Sequence, residues 1–314
     1  MTSRLPNLFL IGAMKSGTNY LRKLLNAHPD IFMCEPEEPS YFVDPRHLRT
    51  VYPMMWERGL WQSQERYLTL FQSAGDARFL GEASTNYSKL PMVPGVPERI
   101  AAFNPRARFI YLLRDPVERA ISHYWHMVRH HAEHRPIAEA VRRDQQFAAV
   151  SHYAMQLTPY LELFGRDRVT VLIHERLVAD PKGVMRGVYQ WLGLDAAATD
   201  LAGLAEAENV TPDLINMPRW GGIPRRLRQA RALRGAMERI PPSVRQVLHR
   251  LTTRDTLRRS VEVAEAVAFL RPELRRPTDE LARMLGYTFP EWTTLYGASA
   301  PMRGLPPTLN ADAT

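Results

Sequence analysis

Near the N-terminus, the apolar run Leu8-Phe9-Leu10-Ile11 leads directly into Gly12-Ala13-Met14-Lys15-Ser16-Gly17-Thr18. The run reads as a buried strand. Asn19 to Ala27 carries apolar residues at Tyr20, Leu21, Leu24 and Leu25, a helical period. A strand, a two-glycine loop and a helix in this order form a phosphate cradle. The glycines bring backbone N–H groups close to an anion, the helix N-terminus adds partial positive charge, and Lys15 adds a full one. The order is not that of an ATPase loop. G-x-x-x-x-G-K-[ST] places lysine after the second glycine, whereas here Gly12 and Gly17 keep the spacing, Thr18 takes the lysine position and Lys15 comes earlier. The plainer reading is a tight turn with a solvated lysine.

A second constellation favours the anion site. Arg108-Phe109-Ile110-Tyr111-Leu112-Leu113 reads as another buried strand, ended by Arg114-Asp115-Pro116, and Val117 to Val128 reads as a helix. Asp115 is placed to cap it, with Pro116 at the tolerated first position. Arg114 then stands at the carboxyl edge of the strand, where open α/β sheets bind ligands, and Ser122 lies about two turns into the helix. The planar fork of Arg114 and the hydroxyl of Ser122 suit a second phosphate on the same nucleotide. The alternative is a surface salt bridge and an incidental serine.

Strand starts are expected near Leu8, Phe32, Phe79, Phe109 and Val169, separated by helical patterns. That alternation predicts an α/β fold: a P-loop-like, mostly parallel sheet flanked by helices, with a helical C-terminal extension. With 314 residues, one domain over 1–300 and a disordered Pro-rich tail over 301–314 are expected. Asn209 to Gly222 reads as a long loop, and Pro272 to Leu285 as a helix. Within the domain, an Arg-rich helical segment spans about 220–260. Its apolar stripe (Ile223, Leu227, Ala230, Leu233, Met237, Ile240) fits a surface helix packed on the core. The sharper reading is a basic face making peripheral contact with anionic lipid.

The single cysteine, Cys34, excludes an internal disulfide framework and a Cys-rich zinc site. His130, His131 and His134 read as a solvated helix end rather than a metal site, since Glu133 is the only acid among them. No metal is expected. No stretch has the apolar length of a membrane span, and the first strand begins within a few residues, so a cytoplasmic protein is expected. High Ala and Arg content suggests a GC-rich bacterial source. The net charge of +8 suits an anionic ligand.

Lys15-Ser16-Gly17-Thr18 after a strand, followed downstream by Leu113-Arg114-Asp115-Pro116-Val117-Glu118-Arg119-Ala120-Ile121-Ser122-His123-Tyr124, resembles sulfotransferases that use 3′-phosphoadenosine 5′-phosphosulfate. The resemblance is to bacterial members related to heparan sulfate N- and 3-O-sulfotransferase domains. Glu38-Pro39-Ser40-Tyr41-Phe42, Gly81-Glu82-Ala83-Ser84-Thr85-Asn86-Tyr87, Val171-Leu172-Ile173-His174-Glu175-Arg176-Leu177, Asp180-Pro181 and Trp191-Leu192-Gly193 fit the same family. The likeness runs from about Leu5 to Leu194 and resumes weakly at Leu281 to Trp292.

The resemblance implies sulfuryl transfer to a hydroxyl, or less readily an amine, with adenosine 3′,5′-bisphosphate as product. Like phosphoryl transfer, this chemistry works by in-line positioning and electrostatics, and the smaller charge of the sulfuryl group leaves no need for magnesium. Lys15 would offset charge on the leaving 5′-phosphate, while the amides of Ser16, Gly17, Thr18 and Asn19 and the Thr18 hydroxyl hold its oxygens. Glu38 would be the base. Glu35 and Glu37 lie beside it and would raise its pKa by like-charge repulsion, and Ser40 stands where relatives carry a histidine. Glu82, Ser84 and Tyr87 would face the acceptor. Ala83 replaces a lysine of the heparan-type enzymes, which points to a neutral glycan, a glycolipid or a small natural product. Arg219, with Trp220 in Asn216-Met217-Pro218-Arg219-Trp220, would hold the 3′-phosphate and adenine.

Two other functions compete. A P-loop kinase of a small metabolite predicts the missing lysine after Gly17. A nucleic-acid-binding protein predicts aromatics interleaved with the basic residues, and the Arg-rich segment has few; no nucleic acid is expected as a partner. The oligomeric state is left open.

Overall fold

The computed structural model describes residues 4–130, 133–199, 214–218, 253–257 and 261–297. Five parallel strands form the central sheet: β1 (Leu8–Gly12), β2 (Ile31–Met33), β3 (Phe79–Ala83), β4 (Arg108–Leu113) and β5 (Val169–Ile173), in the order β2-β3-β1-β4-β5. Each starts within a residue or so of its expected position. β1 and β3 are buried through their length, and β4 from Phe109 on, because helices cover both faces of the sheet.

Alternate strand residues feed two cores. Leu8, Leu10, Ile110 and Leu112 pack with α1 (Thr18–Asn26) and α2 (Pro181–Leu192) on one face. Phe9, Ile11, Phe109, Tyr111 and Leu113 pack on the other with α3 (Pro116–Arg129), α4 (Tyr153–Phe164) and α5 (Val261–Leu285). The β3 flank of β1 leads on to β2, and the β4 flank to β5. The strand order therefore reverses at β1, and the crevice outside the carboxyl ends of β1, β3 and β4 is the expected ligand position.

Three elements differ from expectation. Leu214–Pro218 is a strand rather than part of a loop, paired antiparallel with Thr253–Leu257, itself a strand where the Arg-rich segment was expected to be helical. Its partner lies far along the chain, so local turn residues could not reveal the pairing. The helix expected from Pro272 begins at Val261 and runs through both Pro272 and Pro277. Ala266, Leu270, Leu274, Leu281 and Leu285 form one buried stripe across the prolines. Burying leucines at about 1.5–3 kcal/mol each outweighs the roughly 3 kcal/mol cost of an interior proline. Most of the Arg-rich segment and the 301–314 tail lie outside the described residues. Among the described residues, no helix is long and apolar enough to cross a membrane.

Candidate active site

The cradle closes where β1 leaves the sheet. Ala13 N donates to Leu112 O at 2.8 Å, and Ser16 N to Ala13 O at 3.1 Å. Lys15 at φ 71° and Gly17 at φ 94° turn the chain back into α1. Gly17 tolerates no side chain, because a Cβ there would lie 2.8 Å from His174 Nδ1. No side chain caps α1, and its first turn holds no acid, which suits an anion at its N-terminus. Ser16 is fully buried and its hydroxyl has no protein partner. Thr18 is buried at the helix start, and the Asn19 side chain faces outward. An orphaned hydroxyl, a lysine and a close-packed glycine fit a phosphate better than a solvated turn.

β4 delivers Arg114 to the same place. Its Nη1 donates to Lys15 O at 3.2 Å, and its Nη2 lies 3.6 Å from Glu118. Asp115 caps α3 as expected, accepting from Val117 N at 3.0 Å and Glu118 N at 3.3 Å. Ser122 lies on the buried side of α3. After β5, burial and the charge of Arg114 hold the His174 imidazole down at about 4. On α3, burial and Lys15 push His126 down to about 3. Both imidazoles are neutral near pH 7 and face the cradle without adding charge.

The loop after β2 carries the carboxylates and gives them different partners. Arg22, on α1, binds Glu35 at 3.0 Å and Glu37 at 3.1 Å. Both carboxylates are paired there. Glu38 turns the other way. Its N–H joins Ala83 O at 2.9 Å, and its Oε1 accepts from Thr85 N at 3.0 Å and Thr85 Oγ1 at 2.6 Å. Its Oε2 is buried without a protein partner. Arg58 clamps the loop from outside, donating to Glu37 O and Glu38 O.

The residues expected to face the acceptor do not. Glu82, Ser84 and Tyr87 are buried at 0%, 0% and 2% exposure. Tyr67 donates to Glu82 at 2.8 Å, Ser84 Oγ accepts from Ser40 N, and Tyr87 OH accepts from Phe42 N. They form the layer beneath the Glu38 loop, because β3 is a central strand covered on both faces. Burial pushes the Glu82 carboxyl up to about 7, against the Tyr87 and Tyr67 hydroxyls.

Lys89 was not anticipated. Its only sequence signal is a lone lysine in the otherwise polar-poor stretch after Tyr87. It is 8% exposed and donates to Asn86 Oδ1 at 2.6 Å on the Glu38 side of the crevice. Arg219 and Trp220 lie outside the described residues, as does His131. Among the described residues, no three His, Cys, Asp or Glu side chains are grouped to hold a metal ion.

Residues 6–198 match the sulfotransferase family. The heparan sulfate glucosamine 3-O-sulfotransferase 3A1 of Mus musculus is 29% identical over 209 residues, covering 63% of this chain and 48% of that protein. The bifunctional heparan sulfate N-deacetylase/N-sulfotransferase 1 of Caenorhabditis elegans is 25% identical over 210 residues, 60% of this chain and 22% of its own length. The chain thus spans about half, or less, of the curated relatives it matches. A sulfotransferase crystal structure from Alicyclobacillus acidocaldarius superposes with a TM-score of 0.61 at 24% identity, covering 92% of this chain and 99% of that one, and shares the fold. The family match takes in the whole five-stranded sheet, the cradle and the Glu38 loop: this chain belongs to the sulfotransferase family.

Proposed function

We propose that this chain moves a sulfuryl group from 3′-phosphoadenosine 5′-phosphosulfate to a hydroxyl of a neutral glycan, a glycolipid or a small natural product. The observation that carries this reading is that two buried polar groups without a protein partner stand at the carboxyl ends of neighbouring strands. The Ser16 hydroxyl, beside the uncapped α1, follows β1, and Glu38 Oε2 is on the loop bonded to the end of β3. The match to glycan sulfotransferases supports the reaction class.

Lys15, the amides from Ser16 to Asn19 and the Thr18 hydroxyl hold the 5′-phosphate and offset its charge as the sulfuryl group leaves. Arg114 and Ser122 hold the 3′-phosphate, and Arg219 is the proposed outer contact. Glu38 takes the acceptor proton on Oε2 while Thr85 fixes Oε1. Ala83, in place of the heparan-type lysine, argues for an acceptor without a dense negative charge.

Donor binding and turnover test the reading. Adenosine 3′,5′-bisphosphate should raise Tm well above the shift given by AMP or ATP, since only it fills both anion sites. Labelled sulfate should transfer from donor in the presence of a chelator. Equal shifts from all three nucleotides would remove the second phosphate site, and phosphate transfer from ATP would favour a kinase instead.

A further inference from the structure

Lys89 is a lysine in an unusual setting, almost fully buried. Its ammonium donates to Asn86 Oδ1, reaches the Tyr52 hydroxyl at 3.4 Å and lies 5.1 Å from the centre of the Tyr52 ring. The carboxylate whose charge it feels is Glu38. Burying an ammonium this way is costly unless the charge is used.

The bonds around it run in one direction. An ammonium only donates, so it fixes the Asn86 amide with its oxygen toward Lys89. The Asn86 NH₂ must then point the other way, and it donates to Ser40 Oγ at 3.1 Å. With that lone pair occupied, the Ser40 hydroxyl proton is directed to Glu38 O, 3.4 Å away. Ser40 and Glu38 sit at φ 54° and φ 55°, a conformation that non-glycine residues hold only with support. Removing the ammonium frees the amide to flip and unlinks this chain from its start.

We propose that Lys89 is the positioning residue of the base: through Asn86 and Ser40 it locks the loop that aims Glu38, and its charge keeps the Glu38 carboxylate facing the crevice. The inference rests on Glu38 being the base of sulfuryl transfer. Glu38 faces Lys89 from the β2 loop, Tyr52 from the junction of the short helices Pro45–Val51 and Pro53–Arg58, and Arg119, His123 and His126 from α3. Burial pulls the ammonium down to about 8, opposed by Glu38 and assisted by Arg119. The lock therefore opens as pH rises past that value.

The test is hydrolysis of sulfur-labelled 3′-phosphoadenosine 5′-phosphosulfate, with water standing in for the acceptor, followed from pH 6 upward. Wild type should lose kcat above about pH 8. Lys89→Met should lower kcat about a hundredfold, the scale of a displaced catalytic group. It should lose the alkaline limb and keep the Tm shift given by adenosine 3′,5′-bisphosphate. Lys89→Arg keeps its charge at any such pH, and should recover much of kcat without a limb near pH 8. If Lys89→Met does not fold, wild type and Lys89→Arg carry the comparison alone. Wild-type kcat in Lys89→Met, no wild-type limb, or the same limb in Lys89→Arg overturns the proposal. A wild type that neither binds the bisphosphate nor releases sulfate brings down the transfer reading itself.

Discussion

Thr85 holds one oxygen of the Glu38 carboxylate through both its N–H and its hydroxyl, which leaves the other free for a proton. Glu38→Gln keeps the shape but cannot take that proton. Turnover should fall by about two to four orders of magnitude with nucleotide binding nearly unchanged. Glu35→Gln and Glu37→Gln should cost little, since both carboxylates face Arg22. Sulfate transfer by the three single variants checks the ranking, and a silent Glu38→Gln would move the base elsewhere. On the donor side, Lys15→Ala should depress kcat more than bisphosphate affinity, because its charge matters most as the leaving phosphate forms. Arg114→Ala should chiefly weaken binding, which calorimetry with adenosine 3′,5′-bisphosphate reads directly.

The elements that hold these residues are stabilised at their ends and along their stripes. Asp115 caps α3 with one oxygen and accepts from Leu295 N with the other at 3.0 Å, tying α3 to the C-terminal turn. Asp115→Ala loses a cap and strands a buried N–H, so it should cost about 2–4 kcal/mol in denaturant unfolding. Leu274→Ala, in the proline-bearing α5, should cost about 2–5 kcal/mol by leaving a cavity; a value near zero would mean that the stripe does not hold the helix. At this scale the Asp115-Pro116 start of α3 was readable, because capping is chemistry between near neighbours. The passage of α5 through two prolines was not, because it depends on what the stripe buries against.

For the whole molecule, buried ionisable groups set opposing trends with pH. Glu82 and Glu175 are each pushed up to about 7, chiefly by burial. Between about pH 4.5 and 7 the native state binds protons that the unfolded chain has released, so these groups lower stability as pH rises. His126 and His174 are held down to about 3 and about 4, again chiefly by burial. Over the range up to the free imidazole value near 6.5, the unfolded chain binds the extra protons and stability rises with pH. The two trends offset between about pH 4.5 and 6.5. Below that range, of these four groups only the histidines still bind protons differently in the two states, and their contribution to stability should fall with pH. Glu82→Gln removes one downward contribution, so its stability relative to wild type should improve from pH 4.5 to 7.5 by up to about 3 kcal/mol. Urea melts across this range would show the shift, and a constant difference would mean that Glu82 titrates normally in the fold.

The sequence by itself determined the strand starts, the cradle, the Asp115 cap and the family, since each is written in residues close along the chain. The strand order and the reversal at β1 came only with the tertiary structure. So did the separation of Glu38 from Glu35 and Glu37, which turns on Arg22 of a neighbouring helix. Glu82, Ser84 and Tyr87 looked open and are buried, and Lys89 looked ordinary and is enclosed with Asn86 and Tyr52. Burial and long-range pairing are properties of the packed chain: they depend on which distant segment arrives against a side chain, and local spacing carries no record of that.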